Sequence, residues 1–223
     1  MAILRNRWER WAPATGILYV ALFVIAFVIT GDGPGDSDEE ILSYYADSGN
    51  RATDIAAFFL IAAGVLLFLW FLVTLRSRLR SAEEEPKTLS VLAFAGGLTS
   101  AALLLAADAL FAAVSGTVEF TDEFRVDPNT ARLVGSVGYL LFVGSTMAAA
   151  VLVAATSTIA LKGTVLPKWF GWVGFVAALA LLVAIFFFPI FVLWAWVLVM
   201  SVLLLLRAPV TQPEPGPTAG TGT

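Results

Sequence analysis

From Trp169 to Leu206 the chain runs through 38 residues without one charged side chain. A helix needs about 20 apolar residues to cross the hydrocarbon core of a bilayer. This stretch is too long for one crossing and about right for two. Pro189, directly after Phe186-Phe187-Phe188, marks the break, because proline cannot continue an interior helical ladder. The expected arrangement is two short helices, 169–188 and 190–206, joined by a tight turn at Phe188-Pro189. The alternative is one long helix kinked there.

Four earlier apolar runs, near 11–30, 55–75, 89–114 and 131–161, have the same character. The predicted fold is an all-α, polytopic six-helix transmembrane bundle spanning residues 1–207. Residues 208–223, rich in Pro, Gly and Thr, read as a flexible cytoplasmic tail. Arg5, Arg7 and Arg10 precede the first run, as they would in a signal peptide, but no small-x-small cleavage site follows, so an uncleaved membrane helix is expected. The fourth run would reach about 46 Å at 1.5 Å per residue, so it tilts or projects beyond the membrane. Asp127-Pro128 reads as an N-cap followed by proline at the first helical position, which places the projection at that end.

Charge supports this topology. Ten Lys and Arg residues fall on one side of a six-span arrangement, and Arg51, Arg125 and Arg132 on the other. The positive-inside rule then puts both termini in the cytoplasm. Eleven acidic residues fall outside, giving that face a net charge of −8 against the three arginines. Trp8, Trp11, Trp70, Trp169 and Trp172 map near the cytoplasmic interface, and Trp194 and Trp196 toward the outer half of the last span, as aromatic belts would.

The chain has no His and no Cys, and charged residues are only 13% of it. Haem and zinc held by His, Ser–His and Cys–His nucleophilic pairs, and iron–sulfur ligation are excluded within it. Its net charge of −4 gives no basic surface for nucleic acid. No metal site, cofactor or catalytic constellation is expected, and the chain reads as a non-enzyme.

Candidate positions lie in two places. In the first outer loop, 31–54, Ser37 and Glu40 form a capping box. They open a short amphipathic helix ended by Gly49. Ile41, Leu42, Tyr44 and Tyr45 on it are the docking candidates, with Ile41, Leu42 and Tyr45 toward the bundle or lipid. Asp32, Asp36, Asp38, Glu39 and Glu40 crowd this loop without EF-hand spacing. Gly33-Pro34-Gly35-Asp36 matches the Gly-x-Gly-Asp pattern of intramembrane aspartyl proteases, but that chemistry needs two facing intramembrane aspartates.

Only Asp108 lies inside a span, and an intramembrane acid is by default a functional-site hypothesis. Arg132 is its expected partner across neighbouring antiparallel helices, with Tyr139 and Ser136 as further contacts. The reading is either a structural Asp–Arg pair or a group that meets a cation or ligand in a cavity. Around it, the third and fourth spans are rich in small residues, so they should pack closely at the bundle centre while the last two face lipid. On the cytoplasmic side, Arg76 to Glu85 reads as a solvated loop with lipid-facing arginines.

Tyr44-Tyr45-Ala46-Asp47 with Asn50-Arg51, and Leu166-Pro167-Lys168-Trp169-Phe170-Gly171-Trp172, resemble a group of small bacterial six-transmembrane-helix proteins of unknown function. The resemblance implies a multi-pass protein of the bacterial inner membrane and carries over no site residue. Together these readings favour an accessory or interaction module that associates with other membrane proteins, with lipid or with itself. A small transporter or ion- or proton-coupled protein using Asp108 is the alternative.

Overall fold

The computed structural model describes residues 11–162, 166–183 and 189–206. The described residues are all-α: α1 (Ala14–Thr30), α2 (Asp38–Ala46), α3 (Ser48–Ala82), α4 (Thr88–Phe111), α5 (Ala113–Phe120), α6 (Pro128–Leu161), α7 (Lys168–Leu182) and α8 (Pro189–Leu206). Four of these, α3, α4, α6 and α8, are long and apolar enough to cross a membrane. Helices α1 and α7 are as apolar but shorter, at 17 and 15 residues. The last apolar stretch thus forms two helices, with Pro189 as the first residue of α8. Most of the expected turn before it, and the tail 208–223, lie outside the described residues.

Helix α3 is far longer than its apolar run. Asp47 starts it by accepting the Gly49 amide at 2.6 Å, so Gly49 opens α3 and does not end α2. The sequence reading saw only the apolar part, because periodic hydrophobicity fades before the helix does. The third run is split. Helix α4 stops at Phe111, and α5 continues as a separate helix after a break at Ala112. Helix α6 starts as expected: Asp127 accepts the Thr130 amide at 2.8 Å, with Pro128 at the first helical position. Its 34 residues extend about 51 Å.

Helices α4 and α6 form the most extensive contact in the bundle. A Cβ on Gly96 would sit 2.8 Å from the Leu152 amide nitrogen and 2.9 Å from the Ala148 carbonyl oxygen, so the backbones meet only because glycine is there. The small-residue face is therefore used within the chain. Helix α8 departs from expectation: half of its apolar window is buried, the same share as in α6. Trp194 and Trp196 are core residues, 5% and 4% exposed, and do not form a belt. Trp196 stacks on Phe170 with centroids 5.9 Å apart. Trp11, Trp70, Trp169 and Trp172 are exposed, as interfacial anchors are.

The cytoplasmic-side loop is more built than its composition implies. Glu83 is buried and accepts the amides of Leu89 at 2.7 Å and Ser90 at 2.9 Å, capping α4 from outside its own helix. Burial alone pushes this carboxyl up. The donors of Ser90 and Leu89, with Lys162 nearby, outweigh it and hold the group below its usual range. Arg76 does not simply face lipid; its guanidinium lies 5.0 Å from the Phe94 ring centroid.

A roofed cavity around Asp108

The outer-loop helix forms as its capping box dictates. Ser37 Oγ accepts the Glu40 amide at 3.2 Å, and Glu40 Oε2 accepts the Ser37 amide at 3.0 Å. These bonds hold the Glu40 carboxyl below its ordinary value. Gly31 and Gly33 precede it at φ 62° and 70°, backbone that a side chain would strain. Ile41 and Tyr45 are buried against Val114 of α5 and Ala131 of α6. Leu42, also expected to dock, is 45% exposed and points away from this cluster.

Three polar clasps hold α2 down. Tyr44 donates its hydroxyl to Asp54 Oδ1 of α3 at 2.8 Å, and Ser115 of α5 donates to Asp54 Oδ2 at 2.5 Å. Arg51 donates Nη1 to the carbonyls of Tyr45 and Ala46, which end α2, and Nε to Glu119 of α5 at 3.0 Å. Arg132 of α6 donates to the Asp36 carbonyl at 2.7 Å and pairs with Asp38 Oδ1 at 2.6 Å. Asn50 Nδ2 also donates to the Tyr44 carbonyl. The Tyr44-to-Arg51 motif is thus the knot joining α2 to α3. Burial, with Asp54 beside them, raises the ionisation of both tyrosines, Tyr45 to about 12.

Beneath this roof lies a cavity of about 1040 Å³, walled by the adjacent halves of α1, α3, α4 and α6 and by the start of α8. Its lining is mainly aromatic and aliphatic, with Phe23, Phe27, Ile61, Leu104, Phe142 and Trp194. Asp108, Arg132, Ser136 and Tyr139 all line it, so the structure gathers the four intramembrane and near-membrane candidates around one space. It does not form the expected Asp108–Arg132 pair. Arg132 turns outward to Asp38 and Asp36, which the roof brings closer than sequence adjacency suggests.

Asp108 is 6% exposed, and its Oδ2 is buried with no hydrogen-bond partner. A polar atom in that state costs about 1–3 kcal/mol unless something supplies a bond. Trp194, on the same cavity wall, has a buried indole N–H without an acceptor. Sequence reasoning missed Trp194, Asp54, Ser115 and Arg51. Asp54 carried a signal, sitting where a polar segment meets an apolar run; the partners came only with the fold.

No family model, no curated protein and no solved structure matches this chain.

Proposed function

We propose that this chain is a six-span protein of a bacterial inner membrane, both termini cytoplasmic, that binds a small molecule in the roofed cavity and moves or senses it through Asp108. The observation that carries this is the unpartnered, buried Asp108 carboxylate on the wall of a 1040 Å³ space. Ligand sites are concave, mostly apolar, and carry a few placed polar groups. The sequence alone favours an interaction module because it shows no polar constellation. The cavity supplies one and shifts the balance toward ligand binding.

The six-span topology draws support from the split of positive charge, ten against three, across the same loops. Short α1 and α7 are compatible with it, since helices shorter than the bilayer are accommodated by local thinning. The roof is then on the periplasmic side.

Native mass spectrometry after gentle solubilisation from the native membrane tests the binding role. The expected result is a small-molecule adduct on the wild-type chain that is missing from Gly135→Leu. Gly135 lines the cavity with no atom within 4 Å of a built Cβ, so leucine there fills the space without a clash. A bare chain under every solubilisation condition overturns the proposal.

A further inference from the structure

We infer that the ligand is an amphiphile taken sideways from the adjoining membrane leaflet, with an amine head that meets Asp108 and an apolar chain among the cavity's rings. This rests on the cavity being the functional site and adds the ligand's class and its route.

The head follows from the charges on the wall. Asp32, Asp36, Asp54 and Asp108 line the cavity against the single cation Arg132. Arg132 is already bonded to Asp38 and the Asp36 carbonyl, and Asp54 is satisfied by Tyr44 and Ser115. Asp108 alone among the buried acids is left with an oxygen lacking a donor. An acceptor buried in apolar surroundings selects a donor, and an ionised carboxylate selects a cationic one most strongly. An acidic head would place like charge beside it.

The chain follows from the rest of the lining. Beyond Asp108 the wall is Phe23, Phe27, Leu104, Phe142 and Trp194, which offers a short soluble amine nothing to contact. Each methylene buried there contributes about 0.8 kcal/mol.

The route follows from what is shut and what is open. Toward water, the roof is held by the Tyr44–Asp54, Arg51 and Arg132 bonds. At the side, Phe27 of α1 and Leu140 of α6 both line the cavity and are also exposed on the outside of the bundle, at 43% and 68%. Helix α1 packs on α3 and α8, and α6 on α4 and α7, so α1 and α6 border a gap. Leu140 lies about 18 Å along α6 from Pro128, past the part that projects from the bilayer. The opening faces lipid.

The test uses the full chain in phosphatidylcholine nanodiscs, titrated with dodecylamine, dodecanol, dodecanoate and butylamine, with adducts read by native mass spectrometry. Dodecylamine is expected to bind one to one and at least tenfold more tightly than dodecanoate or butylamine. Asp108→Asn should weaken dodecylamine at least tenfold and leave dodecanol within about threefold, while Gly135→Leu removes both. Butylamine binding as tightly as dodecylamine overturns the amphiphile inference and leaves the cavity's binding role standing. Dodecanoate binding as tightly as dodecylamine overturns the amine assignment in the wild-type chain alone, whatever the variants do. If none of the four binds and the membrane-extracted chain is also bare, both proposals fail.

Discussion

Tyr44 and Asp54, ten residues apart, close the roof on the bundle with a 2.8 Å hydrogen bond from the phenol to the carboxylate. Asp54 is buried, so the bond satisfies a group that would otherwise be costly to hold there. Tyr44→Phe should therefore lower stability by about 1–3 kcal/mol. Ser115→Ala should cost a similar amount, since Ser115 donates to the other oxygen. Thermal unfolding in detergent measures this, and a melting temperature unchanged in both variants would contradict the geometry.

Asp108 and Arg132 share no bond. Arg132 is committed to Asp38 and Asp36, and the Asp108 Oδ2 atom has no partner. Their effects on stability should then be additive. Arg132→Gln removes a half-exposed pair and should cost up to about 1 kcal/mol. A double-mutant cycle with Asp108→Asn should give a coupling near zero. A coupling of 1 kcal/mol or more would mean that the two residues pair directly.

Close packing of α4 on α6 depends on Gly96, whereas Gly135 faces open space. Gly96→Ala should cost about 1–3 kcal/mol, because the methyl meets backbone that cannot move aside. Gly135→Ala should leave the melting temperature unchanged or slightly raised, as alanine favours helix. The reverse order of the two variants would argue against this helix register.

Glu83 gives the fold a pH dependence of definite sign. Its carboxyl is held below the model value of 4.5, so its contribution is fully present above that value and is lost as pH falls through the folded value. Glu83→Gln should melt below the wild type at neutral pH, with the gap closing in acid. Tyr44 and Tyr45 act at the other end. Their ionisation is raised from 10.0, so their contribution is present below that value and is lost as pH rises past it. A gap that widens in acid would refute the capping role of Glu83.

Much of this was legible in the chain. Long uncharged runs gave the helices, Ser37 and Glu40 gave the start of α2, and Asp127-Pro128 gave the start of α6. Asp108 stood out because an acid in an apolar run is rare. What the sequence hid was lateral. Trp194 looks like an interfacial anchor until α8 is seen to be half-buried, and Arg132 looks like the partner of Asp108 until the roof offers it Asp38. Hydrophobic periodicity reports which residues avoid water. It does not report whether they meet lipid, another helix or a cavity, since all three are apolar.

The most direct test of the cavity's role is a high-resolution structure of the chain extracted with its native lipids and imaged in a nanodisc. The account predicts elongated density inside the roofed cavity, with its polar end within hydrogen-bond distance of Asp108 and its apolar end toward Phe27 and Leu140. A cavity holding only water, or collapsed so that Asp108 pairs with Arg132, would contradict it.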